Sequence, residues 1–293
     1  MPLSALSLVL LAGLIHALWN IVAKKSGGDL AFMALTAVVM MIFWAPLGLY
    51  LGIEEVPRWG ALQWSLVLGS AVLHIAYFGI LLRGYRLADL TVVYPLARGS
   101  GPLLSSTVAL LFLGERLSGM GLLGMVSVVF GVMMIAGGPA LWRQAHDPAR
   151  QARIRTGVFY GLLTGTFIAG YTVIDGYAVK VAGMSPILLD YMGNIVRLLL
   201  LAPILLPRRI DWGALWASQS RAALFIGIIS PVSYVMVLYA MQVAPLSHVA
   251  PAREVSMLFA ALLGGHLLGE SDRGLRLLGA LGIALGVMLL GTS

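Results

Sequence analysis

Residues 137–157 read "GGPALWRQAHDPARQARIRTG" and hold four arginines, one aspartate and one histidine. No other interval of the chain stays polar for so long. On either side, apolar runs follow one another with only short connectors between them. A helix needs about 20 apolar residues to cross a hydrocarbon core about 30 Å thick. By that measure ten spans are expected, near 3–23, 30–52, 61–82, 88–113, 118–137, 156–180, 185–206, 221–241, 246–268 and 274–291. Five precede the basic connector and five follow it, and nothing is left over for a soluble domain.

Composition agrees. The 293 residues are 60% hydrophobic and 11% charged, with a mean hydropathy of +0.94. Soluble chains average about 45–50% apolar and about 25% charged residues, so lipid is the solvent for most of this one. The 35 glycines and 14 methionines suit close helix–helix approach in a membrane bundle. The fold class expected is an all-α integral membrane protein. With no cysteine, disulfides and thiolate chemistry are excluded. The net charge of +7 sits in the connectors, where it orients the chain in the membrane and does not point to nucleic acid. Residues 3–23 lack a basic lead, and Lys24 and Lys25 follow them. That order reads as a retained first helix and not as a cleaved signal.

The two halves match at a constant offset of 155 residues. Ala97 and Arg98 fall on Ala252 and Arg253, and "GE" at 114–115 falls on "GE" at 269–270. Gly124 and Gly131 fall on Gly279 and Gly286, and Lys25 falls on Lys180. The expected units are therefore 1–137 and 156–293, with 138–155 as the basic connector. Five spans is an odd number, so the halves should be inverted relative to each other. Inverted repeats let one central site face either side by rocking, which points to a carrier. A cytoplasmic N-terminus would leave only Arg58, Arg116 and Lys180 in the cytoplasmic connectors, against thirteen basic residues opposite. The positive-inside rule thus favours both termini on the periplasmic side of the inner membrane.

Ionisable residues inside spans cost about 2.5–3.5 kcal/mol at a helix centre and face partners or watery cavities. Here they fall at helical spacings. His16 and Asn20 share a face in the first span, with Trp19 beside them, and Tyr171 and Asp175 hold the duplicated positions. Asp190, Asn194 and Arg197 form one stripe; His74, Tyr77 and Phe78 form another; Tyr94 and Arg98 are four apart. Tyr234 adds an aromatic in the eighth span. Each group also has a purely structural reading as an interhelical hydrogen bond, an internal ion pair or aromatic packing. His266, near a span end, reads as structural.

The stretch "YPLARGSGP" (94–102) carries the sharpest functional expectation. Two prolines and two glycines should break the helix beside Arg98, and a guanidinium at such a break suits a carboxylate or phosphate. Arg253, near Pro245 and Pro251, is its counterpart, with Glu254 adjacent and able to neutralise it. Asp175, Asp190, Arg197 and Glu254 are the coupling or gating candidates. Glu115 and Glu270, at turns after long spans, read as caps of the following helix, partners of connector arginines or gates. No H-E-x-x-H, G-x-S-x-G or Walker A occurs. No catalytic residue, metal or cofactor is expected, and transport would run on a gradient.

Ten spans as five plus five, with "GE" after the fourth and ninth, resemble the drug/metabolite transporter superfamily. More narrowly the chain resembles EamA-type ten-helix exporters and is similar to bacterial YddG-type exporters of amino acids. The resemblance covers essentially the whole chain. It implies a monomeric plasma-membrane carrier, with a central cavity, that exports amino acids or related metabolites. Carriers of drug-like cations, sugar phosphates or nucleotide sugars belong to the same superfamily, and a membrane-embedded enzyme or binding scaffold is the reading from another class. Two departures stand out. Pro102 lies thirteen residues before Glu115, whereas Met257 holds that place before Glu270. Small multidrug exporters of the superfamily use a glutamate in their first span, where this chain has His16 and Asn20.

Overall fold

The computed structural model describes residues 1–26, 29–88, 90–135, 148–268 and 273–293. They form eleven α-helices: α1 (Leu3–Ser26), α2 (Leu30–Glu55), α3 (Ala61–Leu87), α4 (Leu90–Phe112), α5 (Gly119–Ile135), α6 (Pro148–Lys180), α7 (Pro186–Leu205), α8 (Trp212–Val243), α9 (Leu246–Ala252), α10 (Val255–Leu268) and α11 (Arg273–Thr292). A 3₁₀ turn, Val56–Arg58, follows α2. Among the described residues six helices (α1, α2, α3, α6, α7 and α8) are long and apolar enough to cross a membrane. Helix starts follow local chemistry. Asp29 accepts from the Phe32 amide at 2.9 Å and Asp211 from the Ala214 amide at 2.9 Å, each satisfying a donor the helix itself cannot. α6 begins at Pro148, eight residues before the expected 156. Proline is tolerated in a first turn, and the Gln, Ala and Arg residues that follow are good helix formers.

The interior is built from small side chains and the exterior from large apolar ones. Ala5, Val9, Ala12, Val67 and Ala109 are fully buried, whereas Ile42, Tyr50, Leu111 and Leu281 face outward. Glycine governs the closest approaches. At Gly131 a Cβ would lie 2.5 Å from the Gly279 carbonyl oxygen, and at Gly279 one would lie 2.6 Å from that of Gly131. Gly124 and Gly286 exchange the same contacts at 2.9 and 2.6 Å. α5 and α11 therefore cross antiparallel with their backbones touching. Ser127 Oγ donates to the Gly282 carbonyl at 2.8 Å, and these two residues are themselves 155 apart. Positions one repeat offset apart thus meet one another at this crossing. The chain ends lie together, with the Met1 amine donating to the carbonyls of Gly291 and Ser293.

The expected break in 94–102 is not there. α4 runs unbroken from Leu90 to Phe112. Its small residues serve packing instead of bending. Gly157, Gly161 and Gly165, spaced four apart on α6, form a smooth strip against Val92, Leu96 and Ser100. A Cβ on Gly165 would collide with Ser100 Oγ, and one on Gly101 would come within 2.8 Å of Ile168. Lying flat on this strip keeps α4 helical where its composition disfavours a helix.

The break falls at the repeat-equivalent place in the other half, between α9 and α10, at Arg253–Glu254. Pro251 offers no amide to the Ser247 carbonyl, and Ser106 Oγ from α4 donates to that carbonyl instead, at 3.3 Å. The chain then tightens: Glu254 N donates to Pro251 O at 3.0 Å and Met257 N to Glu254 O at 2.8 Å. All seven residues of α9 are buried.

Glu115, in the connector between α4 and α5, caps this short helix from the opposite half. Its two carboxylate oxygens accept from the Leu246 and Ser247 amides, each at 2.8 Å, and Lys180 Nζ lies 3.3 Å away. Lys180 also donates to the Ala244 carbonyl at 3.1 Å. Gly114, at φ +66°, makes the turn that presents the carboxylate. Glu115 therefore caps α9 of the other half and not the following helix, α5, and its cation is Lys180 and not a connector arginine; Glu270 lies outside the described residues. Burial opposes ionisation of Glu115, but the Ser247 and Leu246 hydrogen bonds and the Lys180 charge outweigh it and hold the carboxyl below its ordinary value.

Two outcomes follow. Gly131→Ala should destabilise the protein by about 1–3 kcal/mol through overpacking at the helix crossing. Gly119→Ala, whose Cβ meets nothing within 4 Å, should leave the melting temperature in detergent unchanged. A depressed carboxyl stabilises above its unfolded pKa, and that stability disappears as pH falls through the folded one. Glu115→Gln should accordingly lower the Tm at pH 7 and converge with wild type towards pH 3. An equal difference at both pH values would contradict the ionised cap.

Candidate functional site

The helices enclose a cavity of about 460 Å³, walled by α1, α2, α3, α4, α6, α7 and α8 and reaching Arg253 at the α9–α10 break. His16, Trp19, Asn20, His74, Tyr77, Phe78, Tyr94, Arg98, Tyr171, Asp190, Arg197, Tyr234 and Arg253 all line it. Asp175 and Glu254 stand behind the lining, 1% exposed each. Asn194 leaves the stripe that spacing gave it, because its amide donates to the Ala37 carbonyl of α2 at 2.9 Å. His248 is buried in α9 beside Ser247 and is not among the lining residues. The side chain of His266 lies outside the described residues.

Four polar lining residues escape a reading of spacing alone: Tyr85, Thr164, Ser230 and Ser233. Tyr85 and Thr164 carry a signal in retrospect. His74, Tyr77, Phe78, Leu81 and Tyr85 follow one helical face, as do Thr164, Ile168 and Tyr171. The serines flank Pro231 and are too common a residue in membrane helices to stand out.

Charge in the cavity is organised by pairing. Arg98 Nη2 lies 2.8 Å from Glu254 Oε2 and donates to Ser256 Oγ at 3.3 Å. Arg197 Nη2 lies 3.5 Å from Asp190 Oδ1. Arg253 has no ion pair among the described residues, is 8% exposed, and its Nε makes no hydrogen bond. Glu254, next to it in sequence, serves Arg98 of the other half, because the turn at the break sends consecutive side chains in different directions. Of the three guanidinium groups at the cavity, two are ion-paired and Arg253 is not, among the described residues.

Aromatic rings make the walls. His74 stacks on Tyr171 with ring centroids 3.9 Å apart, and Tyr77 and Tyr234 close around them at 5.6 Å from Tyr171 and 5.9 Å from His74. His74 Nδ1 lies 2.9 Å from the Ser70 carbonyl. A carbonyl can only accept, so this bond puts the proton on Nδ1 and leaves Nε2 as an acceptor. Tyr234 donates its hydroxyl to Asp175 Oδ2. Trp19 donates to Ser233 Oγ at 3.2 Å and meets His16 edge-on at 4.6 Å. Among the described residues no group of three or more His, Asp or Glu is placed to hold a metal ion. A guanidinium free of an ion pair in a cavity lined by aromatic rings is suited to a small anionic group carried on an apolar body.

A solved crystal structure shares this fold. It matches over 98% of this chain and 98% of its own, with a TM-score of 0.75 at 17% identity. The family model for EamA-like transporters matches twice, over residues 3–137 and again over 155–292. The two matches meet at the basic connector and leave the cavity between them. The chain belongs to the EamA-like transporter family of the drug/metabolite transporter superfamily, and is a membrane transporter.

Proposed function

We propose that the protein is a secondary carrier of the inner membrane that exports small carboxylate-bearing metabolites, amino acids foremost. Ten passes, arranged as inverted five-helix repeats (1–137 and 156–293) with both termini periplasmic, would present the cavity to each side in turn. The observation that carries the reading is Arg253, the guanidinium facing the cavity without a carboxylate partner. It is the receptor for the substrate carboxylate. Arg98, the leading candidate from its neighbours in sequence, is held by Glu254 and Ser256. It lines the same cavity and reaches substrate only when that pair yields.

His74, Tyr77, Tyr171, Tyr234 and Trp19 form the surface for the rest of the molecule. A cationic substrate finds less support, since Asp190 is paired with Arg197 and Asp175 sits behind Tyr234. Sugar phosphates and nucleotide sugars share the anionic chemistry and are the competing class. The carrier acts as a monomer, with the bilayer as its other partner.

Proteoliposomes loaded with labelled amino acids should show saturable efflux. Arg253→Ala should lower kcat/KM at least about tenfold, equivalent to about 1.4 kcal/mol. Its melting temperature should stay near that of wild type, because no ion pair is broken. Arg98→Ala should lower the Tm as well, since it leaves Glu254 buried and unpaired at a cost of about 3–5 kcal/mol. Absence of saturable efflux for every amino acid, with efflux of a phosphorylated sugar in the same vesicles, would overturn the substrate class.

A further inference from the structure

A second pocket, of about 200 Å³, lies between α2, α7 and α8. It shares Met40, Asp190 and Pro231 with the central cavity, so the two are separated by a single layer of side chains. Its outer rim is Trp44, Leu47, Ile187, Val235 and Tyr239, half-exposed or exposed on the face of membrane-spanning helices.

Three of the polar side chains around this pocket are bonded elsewhere, and Tyr239 stands at its exposed rim. Trp44 Nε1 donates to the Ile228 carbonyl at 3.2 Å, and Tyr191 donates its hydroxyl to the Met41 carbonyl at 3.3 Å. Asp190 is committed to Arg197. What remains on the walls is ring faces, aliphatic carbons and thioethers. A buried water needs two to four polar partners, and the wall between Met40, Trp44 and Tyr191 offers it too few. An empty pocket of that size forfeits the contacts of every atom lining it. Its mouth opens on the outer face of helices long and apolar enough to cross a membrane.

We propose that the pocket is a lipid site: an acyl chain of a surrounding membrane lipid inserts between α2, α7 and α8 and ends against Met40, forming the outer support of the cavity wall. Tyr191 is fixed for this purpose by Gly48, where a Cβ would lie 2.5 Å from its ring. Pro231 contributes a ring instead of an amide at the floor. The site is independent of which solute the cavity carries.

The test uses the full chain in nanodiscs of phosphatidylcholine doped with a lipid bearing a diazirine on its acyl chain. After irradiation, adducts are mapped by mass spectrometry. Phe43 and Leu199, 51% and 67% exposed, report ordinary lipid contact. Adducts are expected on Val235 and on buried Met40 as well, and Val235→Trp should reduce the Met40 adduct at least fivefold with Phe43 unchanged. Val235→Ala, which only widens the pocket, should retain it and guards against misfolding of the larger variant. Labelling of Phe43 and Leu199 without Met40 or Val235 would overturn the proposal. So would a Met40 adduct from a water-soluble diazirine amino acid but not from the lipid, which would make the pocket a branch of the solute cavity.

Discussion

Glu254 is 1% exposed inside a membrane bundle, and the guanidinium that answers it, Arg98, comes from the other half of the chain. A carboxylate at that depth costs several kcal/mol unless a cation meets it. Meeting it fixes two things at once. It ties α4 to the α9–α10 break, and it uses up the arginine that would otherwise be free in the cavity. Arg253, on the opposite side of the same turn, is left to face the cavity alone. Pro251 opens the chain there, and this one ion pair fastens the break to the other half and decides which arginine has a carboxylate partner.

The pair works only because the helices around it come close. Without a hydrophobic driving force between helices in lipid, contact depends on small residues that let backbones touch. The glycine crossing of α5 and α11 and the glycine strip of α6 under α4 supply that contact on two sides. The cap on α9 then completes the frame. Two amides at a helix start would be unsatisfied within the bundle, and Glu115 of the first half supplies both acceptors. The second half's shortest helix is thus held at one end by Glu115 and at the other by the Arg98–Glu254 pair.

Much of this was legible before any coordinates. Hydrophobic runs located the six helices long enough to cross a membrane, and the 155-residue register marked the two stretches that the family model matches, because both depend on composition and period. The i, i+4 polar pairs located most of the cavity lining for the same reason: a polar face on a buried helix must look into a cavity or at a partner. The site of the helix break was misread, since proline and glycine report a propensity and tertiary contact decides its use. The strip Gly157–Gly161–Gly165 lies in another helix, and nothing within 94–102 reveals that it is there. Partner choice was equally hidden. Glu254 adjoins Arg253 in sequence, yet only the geometry of the turn shows that it reaches Arg98.

The repeats have kept their frame and diverged where they line the cavity. Gly124 and Gly131 recur 155 residues later as Gly279 and Gly286, all four at the α5–α11 crossing. Around the cavity, His16 and Asn20 correspond to Tyr171 and Asp175, and Glu254 corresponds to Gly99. A symmetric cavity would present each group twice, and two equivalent arginines would each need a carboxylate or each lack one. Placing a glutamate in only one half neutralises one arginine of the pair and spares the other. Duplication thus supplied two cations, and a single acidic residue on one side turned them into one structural tie and one binding group.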